Sequence, residues 1–191
     1  MVTVTAHSQN SPLEENSSPS SNFMSRFAVE GGVNIAYPIQ NLAKYNTSDG
    51  FNGTASIYAK IVNKFSLYFN YSIINLSTDE RHREVNYMPD FYVPFGNIKV
   101  YNIGGNYSFE YKNHIPFVEG GIGLYSIYVN QPNVINLITS KTQFGGNLGV
   151  GYRYQFDTHI GLFVKGKLHT FSYDSKYWNL WNFSGGVFVK L

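Results

Sequence analysis

The sequence predicts an all-β protein, a closed up-and-down antiparallel transmembrane β-barrel of about eight strands. Three observations point there. Charged residues are only 14% of the 191-residue chain while aromatics reach 17%, against about 25% charged in an ordinary soluble domain. Apolar residues alternate at period two with small or polar ones, the mark of strands with two unlike faces. Short and long connections take turns along the chain, as in barrels with tight turns at one membrane face and longer loops at the other. No run of about 20 apolar residues is present, so no transmembrane helix is expected.

Residues 1–24 are set apart as a leader. Residues 1–9 (MVTVTAHSQ) lack a basic segment and a full apolar segment. They are compatible either with the tail of an export signal or with a plain disordered leader. The Ser/Pro/Asn-rich stretch 10–22 predicts a flexible tail. The barrel domain is assigned to residues 25–191.

Period-two counting places the strands in order. The first, 26–37, puts Phe27, Val29, Val33, Ile35 and Tyr37 opposite Glu30 and Asn34. The second, 51–61, sets Ala55, Ile57, Ala59 and Ile61 against Thr54, Ser56, Tyr58 and Lys60. The third, 65–75, sets Phe65, Leu67, Phe69, Tyr71 and Ile73 against Ser66, Tyr68, Asn70 and Ser72. In the fourth, 98–111, Tyr101, Ile103, Tyr107, Phe109 and Tyr111 oppose Asn102, Asn106, Ser108 and Glu110. In the fifth, 115–129, Val118, Ile122, Leu124 and Tyr128 oppose Glu119, Gly121 and Gly123. The sixth, 143–155, alternates most cleanly, with Phe144, Leu148, Val150, Tyr152 and Tyr154 opposite Asn147, Gly149, Gly151 and Arg153. The seventh, 159–171, opposes Ile160, Leu162, Val164 and Leu168 to Lys165, Lys167 and His169. The eighth, 179–191, opposes Trp181, Phe183, Val187, Val189 and Leu191 to Asn182, Ser184 and Lys190. Tight turns are expected at 62–64, 112–114 and 156–158, and long loops at 38–50, 76–97, 130–141 and 172–178.

The composition of the polar face decides which face looks inward. A soluble barrel shows its polar face to water and should carry Lys, Glu and Asp there. This face carries mostly Gly, Asn, Ser, Thr and Gln, which suits the narrow interior of an eight-strand barrel. The apolar faces carry aromatics near both ends. Phe27, Phe65, Phe109, Tyr111, Tyr154 and Phe156 gather toward the tight turns, and Tyr37, Phe51, Tyr101, Tyr128, Phe144 and Trp181 toward the loops. Two aromatic girdles around an aliphatic band predict a lipid-facing surface.

Three segments then carry a family resemblance: 118–123 (VEGGIG), 145–154 (GGNLGVGYRY) and the closing strand 181–191 (WNFSGGVFVKL). Residues 26–191 resemble the OmpA/OmpX-type family of eight-stranded outer-membrane β-barrels, in particular the small bacterial outer-membrane β-barrel proteins. The closing strand is similar to the family's C-terminal insertion signal, which usually ends in an aromatic; here it ends in Leu191. The resemblance implies a bacterial outer-membrane location and contact with outer-membrane lipid and lipopolysaccharide. The peptidoglycan-binding domain of longer relatives is expected to be absent.

Inward polar faces place charges in the bore. Glu30 and Glu119 are predicted to form a lumen ionic network with Lys60, Arg153 and Lys165, because lone buried charges are costly and paired ones tolerated. The network reads either as a salt-bridged plug or as a gate for a narrow pore; a porin-width channel needs about 16 strands. His7, His82, His114, His159 and His169 have no metal-ligand spacing, so no metal and no cofactor are expected. The absence of Cys excludes disulfides, thiol catalysis and Cys-ligated metals. His169 and Ser172 invite comparison with a lipid A deacylase-like hydrolase, but strand parity sends them to opposite faces. No phosphate loop or nucleic-acid patch is present. The long loop 77–97 carries apolar Met88, Phe91, Tyr92 and Phe95 around Pro89 and Pro94, a candidate surface for an envelope protein partner, a lid over the barrel mouth or an extension of the strands beyond the membrane. The expected function is therefore non-enzymatic, with a structural, adhesive or envelope-complex accessory role. The alternatives are a narrow ion or small-solute channel, a lipid-modifying enzyme and a soluble ligand-binding barrel.

Overall fold

The computed structural model describes residues 26–39, 46–48, 50–78, 95–130, 138–173 and 175–191. Among the described residues there are nine strands: β1 (Phe27–Ile39), β2 (Asn46–Ser48), β3 (Asn52–Val62), β4 (Phe65–Thr78), β5 (Phe95–Ser108), β6 (His114–Asn130), β7 (Ile138–Gln155), β8 (Ile160–Tyr173) and β9 (Lys176–Lys190). Eight of them close into a ring. The hydrogen-bonded order runs β4, β3, β1, β9, β8, β7, β6, β5, and β5 returns to β4. Every pairing is antiparallel, so the sheet has no free edge in the barrel wall. The three-residue β2 pairs Asn46–Ser48 with the last residues of β4, next to the stretch of β4 that β3 pairs with, so it continues the place of β3 in the wall.

The tight-turn end holds Asn63 and Lys64 between β3 and β4, residues 109–113 between β5 and β6, and residues 156–159 between β7 and β8. The second of these is closed by a Tyr111–His114 bridge, with Lys112 in the left-handed region at φ 53°. The regular β5 ladder stops at Ser108, yet the Phe109 N–H donates to the Pro116 carbonyl at 2.8 Å and Tyr111 pairs with His114 in the same register. The pairing thus reaches Tyr111 as the sequence predicts; Pro116, which has no N–H, is what interrupts it.

The other end departs from the expected loop bounds, in the direction of strands that extend beyond the membrane. β6 and β7 have 17 and 18 residues, while about 9–11 tilted residues cross a bilayer. Their pairing runs out to Asn130 opposite Ile138. β4 and β5 likewise enter what was expected to be the loop 76–97. The expected loop 172–178 is mostly strand, with Tyr173 paired to Lys176 across a tight hairpin. The barrel is thus taller than the membrane is thick, and the surplus lies on the loop side.

Parity of faces holds along the membrane-height part of each strand. Ile103, Leu148 and Val164 point outward and are 58%, 68% and 60% exposed. Glu30, Asn70, Asn102, Asn106, Glu119 and Lys165 alternate with such residues and are buried inside. Aromatics bound this belt. On the loop side, Tyr71 and Tyr101 pack at 5.1 Å and Trp181 stacks on Phe183 at 5.9 Å. On the turn side, Tyr107 meets Phe109 at 5.0 Å and Tyr154 meets Phe156 at 5.3 Å. Phe144 and Tyr154 on β7 mark the two girdles. At about 3.3 Å per residue and a tilt near 40° they stand roughly 25 Å apart along the axis, the height of a lipid-facing band.

Beyond the loop-side girdle the pattern inverts. Ile74, Leu76, Ile98, Val100, Ile127 and Leu180 now point inward and are almost completely buried. With Ala36, Tyr125, Phe171 and Trp178 they form one apolar core inside the barrel. Their outward neighbours are Asn75, Asn97, Lys99, Ser126, Thr170 and Asn179. This is the patterning of a water-surrounded barrel.

Candidate functional site

The bore is filled in layers, and each layer follows from the residues that the strands present inward. On the turn side Ile115, Phe117, Phe163 and Phe188 are buried in the lumen. The ionic layer lies beside them. Arg153 on β7 donates through Nε to Glu30 Oε1 of β1 at 2.6 Å. Lys165 on β8 donates to the other oxygen of Glu30, also at 2.6 Å. Glu119 on β6 lies 2.9 Å from Lys167 Nζ and 3.9 Å from Lys165 Nζ. Tyr58 from β3 ties the two carboxylates together, its hydroxyl lying 2.9 Å from Glu30 and 3.1 Å from Glu119. The guanidinium of Arg153 is held between the rings of Tyr58 and Phe117, at 4.5 and 4.2 Å from their centroids.

Two carboxylates and three cations thus sit in a bore screened from water, each with at least one opposite charge in contact. Pairing of this kind makes buried charge tolerable, because desolvation of a lone ion costs several kcal/mol. The strands leave room for the long side chains by using glycine. A Cβ on Gly104 or on Gly121, which face each other across β5 and β6, would come 2.8 Å from the Tyr68 hydroxyl. That hydroxyl donates to Asn147 at 2.8 Å, and Lys167 Nζ sits 4.5 Å over the Tyr68 ring.

An amide and hydroxyl layer separates the charges from the apolar core. Asn70 donates to Ser56 and Thr54, and Thr54 shares a 2.8 Å hydrogen bond with Ser72. His169 is fully buried, its Nδ1 2.9 Å from the Tyr125 hydroxyl. Ser172 belongs to the alternate face of β8, so the two do not converge on a substrate. Asn52 and Asn70, which begin Asn-x-Ser/Thr triplets, are lumen residues.

Of the residues the sequence singled out, Glu30, Glu119, Arg153 and Lys165 meet in one cluster. Lys60 stays apart at the turn-side rim, 3.6 Å from Glu110, with both side chains well exposed. Lys167 takes a place beside Glu119 that the sequence reading did not assign to it. Lys60 is a strand neighbour of Glu30 but lies four residues further toward the turns, whereas Lys167 reaches Glu119 across an intervening strand. Met88, Phe91 and Tyr92 lie outside the described residues. Phe95 opens β5, where its backbone pairs with Val129. Residues 1–25 also lie outside the described part.

The closed ring, the lipid-height belt, the two girdles and the filled polar bore define the OmpA/OmpX-type eight-stranded outer-membrane β-barrel fold. Solved structures share this architecture. The chain is similar to Neisserial surface protein A (NspA), at TM-score 0.64 and 16% identity, covering 86% of this chain and 97% of that one. It is similar to the outer membrane protein OprG from Pseudomonas aeruginosa, at TM-score 0.58 and 10% identity, covering 86% and 95%. It is also similar to Ail, the attachment invasion locus protein of Yersinia pestis, at TM-score 0.51 and 9% identity, covering 85% and 97%. No protein-family model matches the chain, and no curated protein matches it in sequence. At these identities the likeness is one of fold.

Proposed function

We propose that this chain is a closed-lumen integral protein of the bacterial outer membrane that works through its outward end rather than through its bore. Its role on this reading is adhesive, structural or accessory to an envelope complex. The observation that carries the reading is the stacking of two seals. The Glu30, Glu119, Arg153, Lys165 and Lys167 cluster blocks the bore at membrane height. Above it, the apolar core around Ile98, Val100, Ile127 and Leu180 fills the barrel. An ion crossing this path would have to displace paired charges and then enter a dry apolar layer.

The projecting barrel wall supports the second half of the reading. β4, β5, β6 and β7 run on to Thr78, Phe95, Asn130 and Ile138 at that end, and the aromatics Tyr87, Phe91 and Tyr92 fall in the sequence between β4 and β5, a composition suited to contact with a partner or lipopolysaccharide. Phe91, Tyr92 and Phe95 are proposed as contact residues for an envelope protein. The test has two arms. Planar-bilayer recordings should be silent for the wild-type chain; stepwise conductance with selectivity altered in K165A or E119A would establish the channel reading instead. A partner recovered from solubilised membranes should be lost with the F91A/Y92A/F95A variant, and equal recovery would remove those residues from the proposal.

A further inference from the structure

The mouth of the barrel at the tight-turn end contains a cavity of about 140 Å³. Strand ends from around the ring converge on it, among them Arg26 before β1, Lys60 on β3 and Lys190 on β9. Its floor is Tyr58 and Arg153, the turn-side face of the ionic layer. Four of its lining residues are cations, and Glu110 is the single carboxylate among them.

The existing partners of those cations do not use up their charge. Arg153 gives Nε to Glu30, and its Nη2 has no protein hydrogen-bond partner. Lys190 donates to Gln155 Oε1 at 2.7 Å, a neutral acceptor. Lys60 shares Glu110 at 3.6 Å on an exposed rim, where an ion pair is weak and exchangeable. The Ser66 hydroxyl adds a neutral group to the lining. Phe27, Ile115 and Phe188 supply apolar wall, which lowers the local dielectric and strengthens attraction for an anion. The volume exceeds the roughly 30 Å³ share of one water several-fold, so it has room for a tetrahedral anion with part of its hydration.

We propose that this cavity is a binding site for a small oxyanion of the phosphate class, held by Arg26, Lys190 and Lys60 above Arg153. The proposal is independent of whether the bore conducts, because the site lies on the turn side of the ionic layer.

The test uses the full chain folded in a non-ionic detergent at low ionic strength. Inorganic phosphate is titrated in by calorimetry or by phosphorus NMR line broadening, with chloride held constant. Saturable binding is expected. The R26Q/K190Q variant should lose at least about tenfold in affinity, which corresponds to the loss of one charge-assisted hydrogen bond. Its thermal midpoint should match the wild type, since both residues lie on the rim. K99Q, at the opposite end of the barrel, should bind as the wild type does. Methyl phosphate separates the sources: equal competition points to a phosphate borne on a larger molecule, and poor competition to the free anion. Absence of saturable binding, wild-type affinity in R26Q/K190Q, or equal loss in K99Q would each overturn the proposal.

Discussion

Along β5, Ile103 and Tyr107 face outward while Asn102 and Asn106 face inward; a few residues nearer the loops, Asn97 and Lys99 face outward while Ile98 and Val100 are buried inside. The strand, its period and its ladder continue unchanged across the switch. What changes is the medium outside. At membrane height the wall meets lipid, so bulk goes outward and the polar groups must satisfy one another in the bore. Above the girdle the wall meets water, so the apolar residues withdraw into a core and polar residues take the outside. The two halves are held by different physics. The lower interior depends on charge pairing, and the upper interior on close packing.

This comparison can be broken by substitutions that act in one half only. The largest effect is expected for E30Q, which leaves Arg153 and Lys165 buried without their shared carboxylate. Breaking a buried pair of this kind costs about 3–5 kcal/mol, read as a drop in urea stability of the folded barrel in detergent. Replacing the whole pair set by apolar residues of similar volume should cost far less. Next comes I98A in the upper core, with a loss of about 2–5 kcal/mol from lost burial and the cavity left behind. A near-zero effect would show that the upper half is not a packed core.

Outward substitutions sharpen the same contrast. I103K places an ammonium on the lipid face and should cost about 2–4 kcal/mol in a lipid-based unfolding assay, falling toward zero near the interfaces. S126K, outward on β6 above the girdle, should stay within about 0.5 kcal/mol of wild type. The smallest effect belongs to Asp157, in the turn between β7 and β8. It accepts bonds from the Thr158 N–H at 2.5 Å and the Thr158 hydroxyl at 3.2 Å, which hold its carboxyl below its ordinary value. A depressed folded pKa means that this contribution is fully present above the unfolded carboxyl range and is lost as pH falls through the folded value. D157N should therefore remove a slight acid dependence from thermal scans and leave the neutral-pH spectrum unchanged.

The membrane-height half was legible in the sequence because a lipid-facing strand keeps one greasy face throughout. Glu30, Glu119, Arg153 and Lys165 fell on the opposite face by parity alone, before any contact was known. The upper half was not legible by the same rule. Ile98 and Val100 share the face of Asn102, so a reading that assigns one apolar face per strand loses the thread where the medium changes. β2 was missed because Asn46, Thr47 and Ser48 carry no apolar residue to alternate. Lys167 and Lys60 exchanged importance for a geometric reason. Parity tells which side a residue faces, but its height in the tilted wall depends on the register of every strand between it and its partner.

The inversion of faces at the loop-side girdle is tested most directly on β5, in a chain with no native Cys. Single variants I103C and K99C carry a spin label at two outward positions on one strand, four residues apart. Collision with oxygen and with a water-soluble nickel chelate is then compared in lipid bilayers. The label at Ile103 should be accessible to oxygen and shielded from nickel, and the label at Lys99 should show the reverse. Lipid-like accessibility at both positions would contradict a barrel that projects beyond the membrane, and water-like accessibility at Ile103 would contradict its insertion.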